Sequence, residues 1–414
     1  ATPISSTKSI QEALYLYLNS DHQSPYVGSI FHQPPLLLLV FLPALLPRCL
    51  HFGKTDLTTT SEHFIHLSCT QSANTTRIDI RPILILLEFI TGLVIYALSK
   101  RLFTSYFPAV YDHDVEKSWP QSSRTLHRQF REYYAFTQKH AESVAVWLSG
   151  IYFFSPFSVA ALFAQSTTIV RNLCIVCTLY FAMSEKLAFI RSSLFLSLSI
   201  YLDLYPSLLI FPLIALLAHR NRHKSLLLCA LQVISLCGIY LAVLFFLSIE
   251  MIGGHDRYAF FSEVYLFRLR VADLTPNIGL AWYLFTEMFE HFSSFFQFVF
   301  AYLSVFLMIP LTIRFYRRPV FLFWVCTAIM GLLHPYPSLA HHAIAFGILP
   351  LLYPIVSKQN HTPLLLLVLV FLFCLSPIMW EMWIVTGTGN ANFYYALTLI
   401  GAVVQIMFIS GMCS

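Results

Sequence analysis

The chain is 414 residues long, and its composition differs sharply from that of a soluble globular protein. Hydrophobic residues make up 57% of it and charged residues 11%, whereas a soluble domain carries about 25% charge. The formal net charge of +5 is small for this length and gives no basis for a nucleic-acid partner. The composition therefore predicts an all-α, polytopic membrane bundle, because helices satisfy their own backbone hydrogen bonds in lipid.

The N-terminal part of the chain is the most polar. Residues 1–34 contain a short amphipathic stretch, Gln11–Leu18, and end in turn-forming residues. The apolar run Leu36–Leu50 holds two prolines and offers about half of the uninterrupted helix that a span needs. It is interpreted as a re-entrant or broken span. Residues 51–79 are rich in Thr and Ser, with a sequon at Asn74 that can be glycosylated only if it is luminal.

Eleven apolar stretches further along the chain predict membrane spans. They lie at residues 80–99, 143–163, 166–183, 187–202, 204–218, 226–249, 292–313, 319–333, 343–356, 363–380 and 393–412. Most cysteines fall inside them, so the Cys174 and Cys177 pair is interpreted as two buried small residues rather than a redox or metal pair.

Basic residues between the spans predict the orientation, because cytoplasmic loops carry an excess of Lys and Arg. Basic residues cluster in the 100–140 loop and in short loops around Arg220, Arg314 and Lys358. These loops share one face of the membrane only if an even number of spans separates each loop from the next. Four predicted spans separate the first two loops, and two separate each later pair, so the condition is met. The 100–140 loop is then cytosolic. The opposite, luminal face holds residues 1–34, 250–291, 334–342 and 381–392.

One patterned stretch, Asp273–Phe292, predicts an amphipathic helix within the luminal 250–291 segment. Thr275 suits an N-cap and Pro276 suits the first helical position. Spacings of three and four place aromatic rings on one side and acids on the other. The aromatic side holds Trp282, Phe285, Phe289 and Phe292, and the polar side holds Tyr283, Glu287, Glu290 and His291. Such a helix is expected to lie flat on the membrane, with its carboxylates toward water or a headgroup.

Polar residues elsewhere on the predicted luminal face are further candidates for a headgroup site. Asp273 and Asn277 begin the patterned stretch, and Asn390 and Asn392 lie in a Gly-rich turn before Phe393. Their carboxylate, amide and backbone groups could hold sugar hydroxyls or phosphate. Equally, the side chains could pair with one another, and Gly-Asn could be an ordinary turn before the last span.

Two groups of residues suggest metal ligands, but neither predicts a complete site. Glu287-x-x-Glu290-His291 resembles half of a di-metal helix, and the sequence contains no matching Glu-x-x-His helix. His334, His341 and His342 lie in a Pro-rich luminal segment, where a contact surface with another subunit is favoured over metal ligation. No metal and no cofactor are expected.

The same residues resemble a known family. The pattern Asp273-Leu-Thr-Pro-Asn-Ile-Gly, then Trp282-Tyr283, then Glu287-Met-Phe-Glu-His-Phe, is similar to the signature of the PIG-U family. That family is the multi-spanning subunit of the glycosylphosphatidylinositol (GPI) transamidase. A second match runs from Gly389 to Leu399, and shorter pieces such as Ser155-Pro-Phe and Leu204-Tyr-Pro follow the family's order.

The resemblance implies a cellular location and a membrane topology. It implies an endoplasmic-reticulum membrane protein with one more span before Ala1, giving about twelve spans in the full protein and about eleven in this chain. It also implies a likeness in plan to the GT-C type mannosyltransferases that use dolichol-phosphate sugars. Catalysis of that type needs a pair of carboxylates in the first luminal loop, where this chain has Asp21 alone.

The resemblance further implies a non-catalytic role in a complex. A caspase-like cysteine protease subunit would cleave the C-terminal signal of a proprotein and pass the acyl group to the GPI amine. This chain would scaffold the complex and bind the GPI lipid or the attachment signal. The residues expected at that site are Asp273, Asn277, Trp282, Tyr283, Glu287, Phe289, Glu290, His291, Asn390, Asn392 and Phe393.

Two other functions are weighed against this one. A membrane glycosyltransferase would use Asp21 as its base, and mannose transfer lost in Asp21→Asn would favour it. A transporter would need paired charges at mid-span. Glu88 and Glu185 come closest to that position, and neither has an obvious partner in the sequence.

Overall fold

The computed structural model describes residues 2, 4–19, 24–26, 28, 30–44, 80–107, 121–184, 186–221, 225–253 and 256–413. Within these ranges the backbone is helical, with a single β-bridge between Ser6 and Ser166 and no strand. The predicted all-α class is confirmed. Asp21, Asn74 and Glu185 lie outside the described residues.

The helices divide into two groups along the chain. The first group is α1 (Thr7–Asn19), α2 (Leu37–Phe41), α3 (Arg81–Arg101), α4 (Gln121–Lys139), α5 (Ala141–Phe153), α6 (Pro156–Phe163), α7 (Thr168–Ala182), α8 (Ala188–Leu202), α9 (Ile210–Arg220) and α10 (Leu226–Ile252). The second group is α11 (Phe267–Arg270), α12 (Ala281–Glu287), α13 (Glu290–Phe315), α14 (Pro319–Leu332), α15 (Leu339–Gly347), α16 (Tyr353–Val356), α17 (Thr362–Trp380) and α18 (Ala391–Cys413).

Six helical segments in the described part of the chain are long and apolar enough to cross a membrane, which confirms a membrane protein. They are Arg81–Tyr106, Leu226–Ile252, Glu290–Phe315, Leu339–Val356, Thr362–Val385 and Ala391–Cys413. Helices α5 and α6, bent by 46° at a short break, make a seventh if they count as one span. Four further apolar helices are shorter: Thr168–Ala182, Ala188–Leu202, Tyr205–Arg220 and Pro319–Leu332.

The short apolar helices form the interior of the bundle. Every residue from Pro319 to Gly331 in α14 is buried, and most of α7 is buried as well. By contrast α10, α13 and α17 bury only a few residues each, so their apolar side chains cover the outside. A helix that is apolar all round belongs in such an interior, while the long outer helices present the surface that lipid would cover.

One predicted loop contains more helix than expected. The segment 100–140, predicted as a loop, holds the 19-residue helix α4, and α3 continues into a wide turn over Leu102–Tyr106. At the N terminus the predicted amphipathic stretch is confirmed as α1, which buries Ile10, Ala13 and Leu14. Only the first part of Leu36–Leu50 is described, as the short helix α2 and a turn over Leu42–Ala44.

Candidate functional site

The two stretches that carry the resemblance meet in space through aromatic rings. The indole rings of Trp282 and Trp383 stack with centroids 5.9 Å apart, and the rings of Tyr283 and Tyr395 lie 4.5 Å apart. The Tyr395 hydroxyl donates to the Leu280 carbonyl at 3.1 Å, and the Tyr283 hydroxyl donates to the amide oxygen of Asn392. These contacts fix the start of α18 against α12.

The first half of the patterned stretch is a loop, so the predicted helix start at Thr275 and Pro276 is wrong. The Asp273 carboxylate accepts from the Thr275 N–H at 2.8 Å, and the Asn277 amide oxygen accepts from the Gly279 N–H at 2.7 Å. Such side-chain turns satisfy N–H groups locally and offer the backbone an alternative to the helix. The helix therefore begins only at Ala281.

The second half is interrupted as well, so the single amphipathic helix is wrong. Met288 and Phe289 both take an extended backbone, which separates α12 from the membrane-length helix α13. Trp282 is only 3% exposed and packs inside the protein, whereas Phe289 on the predicted same face is 79% exposed. Glu287, Glu290 and His291 are exposed at this break. The expected aromatic face therefore does not exist as one surface.

The Gly-rich turn before α18 caps that helix. The Asn390 amide oxygen accepts from the Phe393 N–H at 3.2 Å, three residues on, which is the geometry of an N-cap. The Gly389 N–H donates to the Met382 carbonyl at 2.9 Å and closes the turn. Asn390 thus starts a helix, while the Phe393 ring is exposed.

Two neighbouring cavities lie on either side of the Asp273–Leu280 loop. The first, named the polar cavity for the hydroxyl and amide groups in its wall, measures about 260 Å³ and is otherwise lined by apolar residues such as Ala161 and Pro276. Its polar lining residues are Thr2, Ser166, Thr275, Asn277, Ser338 and Tyr394. The apolar cavity measures about 170 Å³ and runs between α15, α17 and α18, with a lining that includes Phe157, Phe346, Leu372, Phe373 and Leu397. Ile278, Pro337 and Leu339 line both cavities and form their common wall.

Close packing holds this common wall in place. A Cβ added at Gly279 would lie 2.6 Å from Pro337 Cδ, a distance that real Cβ atoms essentially never show. The Tyr336 hydroxyl accepts from the Asp273 N–H at 2.9 Å and ties the loop to the segment after α14. The chain therefore needs glycine at 279, because the loop and the Pro337 ring touch there.

The sequence did not predict a buried ion-pair network that anchors the same segment. The Asp203 carboxylate forms ion pairs with Arg171 Nη1 at 2.8 Å and with Arg268 Nε at 3.7 Å. His334 Nε2 lies 3.1 Å from the same carboxylate. His334 Nδ1 accepts from the Tyr336 N–H at 3.0 Å, so the ring proton lies on Nε2 and is donated to Asp203. The only signal in the sequence was a few charged residues within apolar runs.

Electrostatics explains how this carboxylate stays ionised. Burial by itself would raise the pKa of Asp203, but His334, Arg171 and Arg268 together hold that pKa well below its usual range. Burial lowers the pKa of His334 despite the opposing effect of Asp203, which matches its neutral ring. The network joins α7, the end of α8, α11 and the segment that leads into Pro337.

The buried histidines overturn one expectation from the sequence. His334, His341 and His342 are all buried, so the prediction that they form a contact surface with another subunit is wrong. Ring atoms of His334 and His341 and a carboxylate oxygen of Asp203 lie within 4.8 Å of one another, close enough to suggest a metal site. However, both rings use Nδ1 as an acceptor, and two arginines contact the same carboxylate. That positive charge does not fit a cation.

A pH dependence of stability follows from His334. We expect the melting temperature of the protein in detergent to fall as the pH is lowered from about 7.5 to about 5.5. The unfolded chain takes up a proton near the ordinary histidine pKa of about 6.5, and the folded chain with its lowered His334 pKa does not. His334→Asn should make this slope shallower, and the exposed His291→Asn should leave it unchanged. An equal slope in all three proteins would contradict this assignment.

Comparison with known proteins gives the family. The model of the family described as GPI transamidase subunit PIG-U matches residues 1–401. The GPI-anchor transamidase component PIGU of Homo sapiens is 28% identical over 415 residues, covering 99% of this chain and 85% of the human protein. The GPI transamidase component GAB1 of Saccharomyces cerevisiae is 27% identical over 404 residues, covering 97% of this chain and 82% of the yeast protein. Since the family model spans nearly the whole sequence, the chain belongs to the GPI transamidase subunit PIG-U family.

Proposed function

We propose that this chain is a non-catalytic subunit of the GPI transamidase in the endoplasmic-reticulum membrane, where it holds the GPI lipid for a catalytic partner. The observation that carries the lipid role is the pair of cavities with a common wall at Ile278, Pro337 and Leu339. GPI joins a polar glycan and phosphate to acyl chains. Hydroxyl and amide groups in the wall of one cavity can bind the glycan and phosphate, and the apolar cavity beside it can take an acyl chain.

The glycan end is assigned to the polar cavity. Hydroxyl groups of Thr2, Ser166, Thr275 and Ser338 line it, together with the amide of Asn277. These groups are the donors and acceptors that sugar hydroxyls and phosphate oxygens use. Among the residues predicted from the sequence, Asn277 is the one that lines this cavity, while Trp282, Tyr283 and Asn392 support its wall through the aromatic contacts.

The acyl end is assigned to the apolar cavity between α17 and α18. Phe157, Phe346 and Phe373 line it with flat rings, which bury much area at low entropic cost. Gly331, Gly401 and Ala402 also line the cavity, and their small size leaves room for a chain. The hydrophobic tail of the proprotein signal is the rival occupant.

The exposed predicted residues receive a different role in this proposal. Glu287, Phe289, Glu290 and His291 at the break before α13, with Phe393 at the start of α18, do not line either cavity. We assign them to contacts with headgroups or with other subunits. The named roles of the human and yeast relatives as transamidase components support such a complex.

The cysteines support a role without peptide-bond chemistry. In the described part of the chain the thiols lie within apolar helices, and five of them are buried: Cys174, Cys177, Cys229, Cys237 and Cys326. The exposed Cys374 and the half-buried Cys413 lie on the membrane-length segments Thr362–Val385 and Ala391–Cys413. A thiol nucleophile needs water access and a nearby base. The proposal therefore assigns peptide cleavage to a partner subunit, the caspase-like cysteine protease implied by the resemblance.

The proposed topology keeps eleven spans in this chain, with a GT-C-like plan. The four short helices are too short to cross a bilayer alone, since 15 residues reach about 22 Å against about 30 Å of hydrocarbon. Because these helices are buried among neighbouring helices, protein rather than lipid surrounds their ends. They therefore do not need to match the full thickness of the hydrocarbon layer. This packing supports counting them as spans.

Gly279→Val tests the common wall. Its side chain would collide with Pro337 and with the Asn277 amide oxygen, so the loop or the Pro337 ring must move and the wall between the two cavities must change shape. We expect a loss of about 1–3 kcal/mol in stability and a clear reduction of GPI-anchored protein at the surface of cells that depend on this chain. Gly150→Val is the matched control, because nothing lies within 4 Å of its Cβ. Normal surface levels with Gly279→Val would count against the proposal.

A further inference from the structure

A small cavity borders the Asp203 network, and its lining includes polar atoms without partners. It measures about 30 Å³ and is lined in part by Gln33, Arg171, Arg268 and His341. The Nε–H groups of Arg171 and Arg268 and the side-chain carbonyl oxygen of Gln33 are buried without a hydrogen-bond partner. Their side chains are 3%, 2% and 1% exposed, respectively. Buried polar groups of this kind call for a ligand or water.

The charges around this cavity do not balance. Arg171 and Arg268 both contact Asp203, the one carboxylate in the cavity lining, so the network has one positive charge in excess. His334 and His341 both accept an N–H at Nδ1, which identifies them as neutral rings. The nearby Glu263 carboxylate lies 3.5 Å from His32 Nδ1 and is partly exposed. An unpaired buried charge is costly, so a counter-ion would stabilise this arrangement strongly.

Among the buried polar atoms of the cavity wall that lack a hydrogen-bond partner, two are donors and one is an acceptor. The Nε–H groups of both arginines lack a hydrogen-bond acceptor, with Asp203 Oδ1 at 3.7 Å from Arg268 Nε. His341 has its ring proton on Nε2 because Nδ1 accepts from the Ser338 N–H at 3.0 Å. Gln33 presents the one unpartnered acceptor, since its amide N–H₂ already donates to Ser6 O and Ser9 Oγ. An occupant that mainly accepts hydrogen bonds fits these groups.

We propose that this cavity binds a small monovalent anion of halide size, chloride in the cell, together with one water molecule. A single water needs about 10–15 Å³ of such volume, so 30 Å³ accommodates about two groups of that size. The anion accepts from the arginine Nε–H groups, and the water donates to Gln33. This inference is independent of the proposed lipid role.

The test is the thermal stability of the purified protein in detergent, with the subunits that co-purify. Sodium chloride or sodium bromide should raise the melting temperature by about 2 °C or more over sodium gluconate at equal ionic strength. The rise should saturate as the halide concentration increases. Water alone in the cavity predicts no difference between halide and gluconate. That result would overturn the proposal.

Variants locate the effect within the molecule. Arg268→Gln should abolish the halide-dependent rise, while Arg270→Gln, an exposed arginine on the same short helix α11, should retain it. Asp203→Asn adds to the excess positive charge, so its halide-dependent rise should exceed that of the wild type. A rise of equal size in Arg268→Gln and the wild type would show that halide acts elsewhere and would overturn the proposal, even if Asp203→Asn does not fold.

Discussion

Asp203→Ala is expected to destabilise the protein by about 3–5 kcal/mol, the largest loss of stability predicted for any single substitution here. The change leaves Arg171 and Arg268 buried and without the carboxylate that both contact. It also removes the acceptor of the His334 Nε2 proton. Because the network anchors the segment that ends in Pro337, the two cavities should be disturbed as well.

The measurement is thermal or denaturant unfolding of the variant in detergent, with Asp256→Ala as the control. Asp256 is exposed and lies outside the network, so its loss should change stability by less than about 0.5 kcal/mol. The pKa of Asp203 is depressed in the folded state, so its contribution is complete above about pH 4 and is lost only as the pH falls through the folded value. A difference between variant and wild type that disappears at pH 5 would contradict this account.

Gly401→Leu is expected to reduce GPI attachment by about tenfold or more without dispersing the protein, equivalent to at least about 1.4 kcal/mol of lost lipid binding. Gly401 lines the apolar cavity, and the nearest atom to an added Cβ is Leu372 Cδ1 at 3.9 Å. The first side-chain carbon therefore meets no clash, and the rest of a leucine side chain would occupy the space proposed for an acyl chain. The loss should come from occupancy of the cavity rather than from unfolding.

The readout is the surface level of GPI-anchored proteins in cells that depend on this chain, beside the amount of assembled complex. Gly238→Leu is the matched control, because it makes the same change on the outer helix α10 with nothing within 4 Å of its Cβ. Normal attachment in Gly401→Leu at normal expression would argue that no lipid enters between α17 and α18.

The sequence predicted the elements that depend on local pattern. Long apolar runs produce helices wherever they occur, and the six membrane-length segments all fall on predicted spans. Cys174 and Cys177 are buried as predicted. The residues before and after them are mostly apolar, so their part of the helix has no polar face on which a thiol would be exposed to water. These predictions needed no knowledge of distant neighbours.

The predictions that failed in the Asp273–Phe292 stretch rested on periodicity alone. The 3.6-residue spacing of Trp282, Phe285 and Phe289 suggested one helix, but the extended backbone at Met288 and Phe289 places Trp282 inside and Phe289 outside. Short side-chain turns at Asp273 and Asn277 competed successfully with the helix. Periodicity alone could not show that competition.

The buried Asp203 network could not be predicted from local sequence pattern. Asp203 and His334 are 131 residues apart in the chain, and Asp203 and Arg171 are 32 apart. The histidines looked like a polar surface because a Pro-rich segment between helices is usually exposed. Their burial follows from the way α14 and α15 close around Asp203, which only the fold reveals.

The most direct test of the lipid role is a density map of the assembled transamidase with GPI bound. We expect acyl-chain density between α17 and α18 that reaches Ile278, and glycan density beside Asn277 in the polar cavity. A map in which GPI binds elsewhere while side chains of another subunit fill both cavities would contradict the proposal.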